Sequence, residues 1–183
     1  MKVIFLDRDG VINEYPGDGK YVTRWEEFKF IPGSKQAIRE FNQAGFKVFV
    51  ISNQAGVSKG IYSFQDLQVI TRKMIASLKK EKAHLDGVYY CPHQEKDNCN
   101  CRKPKDGLLK KALSEFRIKP KISFFIGDSF LDMKAAKNFG IKGVLLLSGK
   151  EKMANRKNWE FTPDYIFDNL LSASRYICSH YGR

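Results

Sequence analysis

The chain has 183 residues, 43% of them hydrophobic and 28% charged, which is ordinary globular composition and enough for one domain spanning 1–183. No apolar run approaches the roughly 20 residues of a membrane span, and the start "MKVIFLDRDG" lacks the apolar core and cleavage site of a secretory leader, so a cytoplasmic protein is expected. The formal net charge of +12 is scattered along the chain without an RNA-binding aromatic signature or a helix-turn-helix pattern; it reads as a solvated basic surface that draws in anionic small molecules, with no nucleic-acid or membrane partner and a monomer expected.

The first predicted element is a strand, "VIFL" at 3–6, which runs directly into Asp7-Arg8-Asp9-Gly10. A long irregular stretch, 13–33, follows, and loops of that length in a compact domain tend to be functional or disordered. A helix is predicted over 34–44, opening after "IPG" and stopping at Gly45. The strand "KVFVIS" (47–52) delivers Ser52-Asn53-Gln54. Residues 64–83 read as a helix with Leu67, Ile70, Met74, Ile75 and Leu78 on one face and Ser63 as its N-cap. "GVYY" (87–90) leads into a second irregular stretch, 91–106. A helix over 107–117 and the strand "ISFFIG" (122–127) come next, then Asp128-Ser129, with Asp132 four residues beyond Asp128. A helix over 130–138, strands "GVLLLS" (143–148) and "DYIF" (164–167), and a helix over 169–180 complete the chain. Most strands are apolar throughout rather than alternating, as parallel strands covered on both faces are. The order implies an α/β fold, doubly wound around a mainly parallel sheet, and no segment is long enough for a separate cap domain.

In such sheets ligands bind beyond the carboxyl ends of the strands, so the residues that follow each strand belong in one crevice. Asp7, Asp9 and Asp128 gathered there without a counter-charge would raise one another's pKa. A hard divalent cation relieves this, and Mg²⁺ prefers oxygen ligands. The plainer reading, that Asp7 and Asp9 are turn residues or helix caps, does not account for the other strand ends.

Residues 91–101, "CPHQEKDNCNC", hold three of the four cysteines and one of the three histidines. Cys91, His93, Cys99 and Cys101 form the Cys₃His set of a structural Zn²⁺ site, whose four protein ligands leave no open position for chemistry. The competing reading is an incidental cluster, which would expose three thiols to oxidation. Arg102, Lys103 and Pro104 follow at once, so a zinc-bound loop would set where the two cations point. His84, His180 and Cys178 have no partner cluster, and Trp25 and Trp159 read as packing residues.

"DRDGV", "SN", "RKP" and "GDSFLD", in that order, resemble the motifs of the haloacid dehalogenase-like phosphohydrolases over nearly the whole chain. The resemblance implies Asp7 as nucleophile, Asp9 as general acid/base, and Ser52 and Lys103 as holders of the transferring phosphoryl group. It places Mg²⁺ on Asp7, the Asp9 backbone carbonyl and Asp128. "CPH", "CNCRKP" and "SNQAGVSKGIY" resemble the subgroup that contains the heptose bisphosphate and histidinol-phosphate phosphatases. That implies substrate contacts from Arg102, Lys103 and the stretch Asp18, Gly19, Lys20, Tyr21. Arg8, Ser52, Asn53 and Gln54 are also expected at the substrate. Three functions stay open: a sugar bisphosphate phosphatase, the same chemistry on histidinol phosphate or a nucleic-acid 3′ end, and a non-enzymatic zinc-stabilised binding module. Ser129 stands where relatives often carry a basic residue.

Overall fold

Six uninterrupted apolar runs become six strands. The computed structural model describes residues 1–182, with β1 (Lys2–Leu6), β2 (Phe46–Asn53), β3 (Gly87–Cys91), β4 (Ile122–Gly127), β5 (Lys142–Leu146) and β6 (Tyr165–Phe167). The helices are α1 (Ser34–Gln43), α2 (Phe64–Lys80), α3 (Gly107–Glu115), α4 (Phe130–Phe139) and α5 (Leu170–Tyr181). Ser63 caps α2 as expected, its side chain accepting from the Asp66 N–H while Asp66 reaches back in a capping box. This helix stops at Lys80 rather than 83, because Lys82 takes a left-handed conformation (φ 56°) and the Ala83 N–H turns back to the Leu78 carbonyl. These are the bonds of a Schellman stop, here built without glycine. Ile75 does not share the buried stripe of Leu67, Ile70, Met74 and Leu78; it is 42% exposed, one position around the helix from Met74.

All strand pairs are parallel, in the order β3-β2-β1-β4-β5-β6. The central strand shows why both faces are apolar. Ile4 and Leu6 pack into one layer with Ala37, Ile38 and Phe41 of α1 and Ala173 and Ile177 of α5. Val3 and Phe5 pack into the other with Leu109 and Ala112 of α3 and Ala135 of α4. β3 and β6 depart from the double-cover expectation: as edge strands they are mostly half-buried. Order reverses at β1, whose neighbours are β2 on one side and β4 on the other. That reversal opens a crevice at the carboxyl ends of β1 and β4, and every residue of the site described next lies around it. No helix among the described residues is long and apolar enough to cross a membrane.

Candidate active site

Parallel pairing of β1 with β4 sets Leu6 opposite Ile126, and the Asp7 N–H donates to the Ile126 carbonyl at 3.0 Å. Asp7 and Asp128 therefore leave the sheet side by side. Asp7, Asp128 and Asp132 each offer a carboxylate oxygen within 4.8 Å of the others. Two glycines make room for Asp128. A Cβ on Gly10, which also has φ +79°, would lie 2.9 Å from the Asp128 Cβ, and one on Gly149 would lie 2.5 Å from it. The Lys150 N–H donates to Asp128 Oδ2 at 2.7 Å and fixes its rotation.

Lys103 arrives from the loop after β3 and is 3% exposed. Its Nζ lies 3.0 Å from Asp7 Oδ2 and 2.5 Å from Asp132 Oδ1, and it donates to the Ile51 carbonyl at 3.1 Å. Burial pushes its ammonium toward the neutral form, but Asp132 and Asp7 outweigh that and hold it above the ordinary lysine value. Asn53 fastens the Lys103 backbone from β2, accepting from its N–H at 3.0 Å and donating to its carbonyl at 3.2 Å. Asp132 Oδ2 accepts from the Ser129 N–H and hydroxyl, so this carboxylate both caps α4 and anchors Lys103.

The acidic centre carries an excess of unfavourable charge. Burial, with Asp132 and Asp9 adding to it, pushes the Asp7 carboxyl up to about 6 despite the opposing Lys103. Burial and the neighbouring Asp132 and Asp7 push Asp128 well above the carboxylate range. A divalent cation on Asp7 and Asp128 would cancel that repulsion, and carboxylate oxygens are the donors Mg²⁺ takes. Asp132 has both oxygens committed to Lys103 and Ser129, so it supports the site rather than opening onto it.

A cleft of about 410 Å³ opens over this centre. Asp7, Asp9, Ser52, Asn53, Arg102 and Asp128 line its floor and walls, and Asp18, Gly19, Lys20 and Tyr21 come in from the loop 13–33. Two expected substrate contacts are corrected. Arg8 is fully buried and turned away from the cleft, bonded to Asp9 and sitting 5.9 Å from the ring centroids of both Phe28 and Tyr90. Arg8 lies in the bend where the chain leaves β1 and packs inward, while Asp7 and Asp9 on either side of it reach the cleft. Gln54 is likewise buried, behind Asp9 and Ser52. Lys134 and Lys150 line the cleft and were missed, because no local motif marks them. Lys150 Nζ lies 3.1 Å from Asp18, joining the loop after β5 to the loop 13–33 across the mouth.

The Cys/His loop closes on itself. Cys101 Sγ is 3.2 Å from Cys91 Sγ, 3.3 Å from Cys99 Sγ and 3.3 Å from His93 Nδ1. Cys91 Sγ is 3.6 Å from both Cys99 Sγ and His93 Nδ1. A tetrahedron with metal–sulfur arms of about 2.3 Å has edges of roughly 3.8 Å, so the four atoms stand slightly contracted around the volume of one zinc. Although burial opposes it, donors from Cys101 and Arg102 hold the Cys99 thiol down at about 6. Arg102 Nη1 donates back to the His93 carbonyl at 3.1 Å, tying the cluster to the residue next to Lys103.

Comparison with known proteins agrees with this geometry. Residues 100–173 match the HAD-hydrolase-like family. The D-glycero-β-D-manno-heptose-1,7-bisphosphate 7-phosphatase of Neisseria meningitidis is 36% identical over 179 residues, covering 97% of this chain and 95% of its own. The D-glycero-α-D-manno-heptose-1,7-bisphosphate 7-phosphatase of Campylobacter jejuni is 42% identical over 151 residues, covering 82% and 84%. The crystal structure of D,D-heptose 1,7-bisphosphate phosphatase from B. bronchiseptica, complexed with magnesium and phosphate, superposes with a TM-score of 0.90 at 29% identity, covering 98% of this chain and 99% of that one.

Proposed function

The chain belongs to the heptose 1,7-bisphosphate 7-phosphatases of the HAD-like hydrolases, and we propose that it hydrolyses the 7-phosphate of a D-glycero-D-manno-heptose 1,7-bisphosphate in a Mg²⁺-dependent reaction. The observation that carries the proposal is the buried set Asp7, Asp128 and Lys103 at the sheet's reversal, with Asp9 on the same cleft. Asp7 and Asp128, with the Asp9 carbonyl, would hold the Mg²⁺, which supplies positive charge against the phosphoryl oxygens.

A carboxylate oxygen of Asp7 attacks phosphorus while the bond from phosphorus to the sugar oxygen breaks, giving an aspartyl-phosphate. Asp9 gives its proton to the departing sugar oxygen. Water then attacks the aspartyl-phosphate, Asp9 takes a proton from it, and the phosphorus–Asp7 bond breaks to release inorganic phosphate. The Ser52 hydroxyl would face the transferring oxygens, and Lys103, 3.0 Å from Asp7 Oδ2, would put its positive charge beside the transferring group. Arg102, Lys20, Lys134 and Lys150 line the cleft and would offer cations to the second phosphate of a bisphosphate, with Lys134 here paired to Glu160 and Lys150 to Asp18.

We assign Zn²⁺ a structural role on Cys91, His93, Cys99 and Cys101. Thiolate ligands suit a reducing compartment, consistent with work in the cytoplasm on a lipopolysaccharide precursor.

Phosphate release should be measured on both heptose bisphosphate anomers and on histidinol phosphate, with Mg²⁺ and with chelator. The expected result is Mg²⁺-dependent release with the largest kcat/KM on one heptose bisphosphate. Preference for histidinol phosphate would overturn the substrate, and release independent of Mg²⁺ would overturn the mechanism.

A further inference from the structure

Three buried side chains converge on the Asp9 carboxylate from behind. Oδ1 accepts from Arg8 Nε at 3.2 Å, Arg8 Nη2 at 2.9 Å and Asn13 Nδ2 at 2.8 Å. Oδ2 accepts from Arg8 Nη2 at 3.0 Å and Gln54 Nε2 at 2.9 Å. Arg8, Asn13 and Gln54 are all buried, and none of them lines the cleft. A carboxylate oxygen offers about two lone-pair sites. Arg8 Nη2 is shared between the two oxygens, so Oδ1 has two donors of its own and Oδ2 has one, Gln54, which leaves Oδ2 as the oxygen with a site for a proton.

Gln54 is the single side-chain amide on that oxygen among the described residues, and its direction is fixed. One Nε2 hydrogen goes to Asp9 Oδ2 and the other to Ser52 Oγ at 3.2 Å. Its Oε1 accepts from the Tyr62 hydroxyl at 2.6 Å. Turned over, the amide would set its carbonyl oxygen against the Asp9 carboxylate, and its NH₂ would face the hydroxyl of Tyr62. Burial favours the protonated Tyr62 hydroxyl, raising its pKa, and so preserves it as a donor. Tyr62 itself is 6% exposed and held by its packing: a Cβ on Gly56 would collide with its ring.

We propose that Gln54, locked by Tyr62, is the positioning residue for the proton-carrying oxygen of Asp9. It touches neither substrate nor metal. It holds Oδ2 toward the cleft, so that the proton passes from Oδ2 to the departing sugar oxygen in the first step and from water to Oδ2 in the second. The proposal rests on the reading of Asp9 as the acid/base.

The test uses Tyr62→Phe, which removes only the hydroxyl, and Gln54→Met, which removes both amide donors at similar volume. Each is assayed on the heptose bisphosphate and on 4-nitrophenyl phosphate, whose leaving group departs without a proton. General acid–base catalysis contributes about 10²–10⁴-fold, so mispositioning should cost about 10- to 100-fold in kcat on the sugar phosphate. KM should stay within about twofold, and the two substrates are compared in kcat/KM, which ends at transfer to Asp7 and leaves out the water attack common to both; in it the aryl phosphate should lose less than about threefold. In an Asp9→Asn background, Tyr62→Phe should add no further loss, because the residue it acts through is gone. Equal losses on the two substrates, an undiminished further loss in the Asp9→Asn background, or wild-type kcat in both variants would each overturn the proposal. Wild-type kcat in Asp9→Asn alone would instead overturn the acid/base assignment. Should Tyr62→Phe unfold, Gln54→Met gives the same comparison.

Discussion

Asp132 Oδ1 lies 2.5 Å from the ammonium of Lys103, both side chains almost wholly out of water, so one carboxylate ties the start of α4 to the cation that faces Asp7. Breaking a buried pair from one side costs about 3–5 kcal/mol where the other charge is left uncompensated, but Lys103 keeps Asp7 at 3.0 Å. Asp132→Asn should therefore lower stability by less than that, because losing its charge also relieves the repulsion on Asp7. Phosphoryl transfer depends on position, and a shift of about 1 Å in the Lys103 ammonium can cost about 100-fold. Thermal unfolding and kcat, measured on the same preparation, should both fall; unchanged kcat would show that Asp7 and the Ile51 carbonyl alone hold Lys103 in place.

Asp7→Asn should abolish turnover yet raise the stability of the metal-free protein. The amide cannot attack phosphorus, but its oxygen can still accept the Arg8 N–H that Asp7 Oδ1 accepts at 2.7 Å. The rise of the Asp7 carboxyl from 3.8 to about 6 means that holding it ionised in the folded chain is unfavourable, on the order of 3 kcal/mol. Removing the charge removes that penalty. Denaturant unfolding at pH 8 without metal should show a higher midpoint for the variant, and added Mg²⁺ should stabilise it less than the parent. A lower midpoint without metal would show that Asp7 gains more from Lys103 than it loses by burial.

How much of this was legible beforehand depends on sequence distance. Asp7 and Asp9, the Cys₃His loop and Ser63 announce themselves within a few residues, and the apolar strand runs place each at a strand end or helix start. The charge of Arg8 in a phosphate-binding context points toward substrate, and nothing local in the sequence marks the bend that turns it inward against Phe28 and Tyr90. The pairings of Lys103 with Asp132 and of Lys150 with Asp18 span 29 and 132 positions, and no local pattern encodes them. They exist because parallel β-α-β crossovers return separate strand ends to one edge of the sheet. Ile75 shows the opposite limit: its hydrophobicity suggested burial, but one position of rotation around α2 carried it into solvent.

The acidic centre should couple Mg²⁺ binding to pH. Asp7 has its folded pKa raised from 3.8 to about 6, and Asp128 is raised as well. A carboxyl raised on folding binds its proton more tightly in the folded chain, so its contribution is fully present below the unfolded value and is lost as pH rises through the folded one. Metal-free protein should thus lose stability between about pH 4 and pH 6 from Asp7, with Asp128 adding loss in the same direction as pH rises. Mg²⁺ must displace those protons, so its apparent affinity should rise over the same range. Melting temperatures with and without MgCl₂ should diverge as pH increases, with a larger Mg²⁺-induced shift at pH 8 than at pH 5. A shift of equal size at both would place the metal on groups other than these carboxylates.

Zinc should govern catalysis only through where it leaves Lys103. The Lys103 segment is held by one link to the Cys/His cluster and by a second, independent grip from β2. Arg102 donates to the His93 carbonyl at 3.1 Å, and Asn53 grips the Lys103 backbone through both its N–H and its carbonyl. Lys105 adds a third tie, its Nζ lying 2.7 Å from the Asn98 side-chain oxygen within the same loop. Replacing Cys99 or Cys101 with Ser removes one ligand of four and should lower both zinc content and thermal stability. With the loop loosened, Lys103 keeps its carboxylate partners but loses its fixed backbone, and a displacement of about 1 Å would reduce kcat about 100-fold. The Mg²⁺ requirement should persist, since Asp7 and Asp128, just beyond β1 and β4, would hold that ion independently of the loop. Metal analysis of the parent should return about one zinc per chain, and X-ray absorption should show sulfur near 2.3 Å. Asn53→Ala, which leaves the zinc ligands intact, should reproduce much of the kcat loss with full zinc content. That pairing separates positioning from metal chemistry: if the zinc-free protein kept its kcat/KM while Asn53→Ala lost activity, the loop would be held by Asn53 alone, and zinc would have no part in placing Lys103.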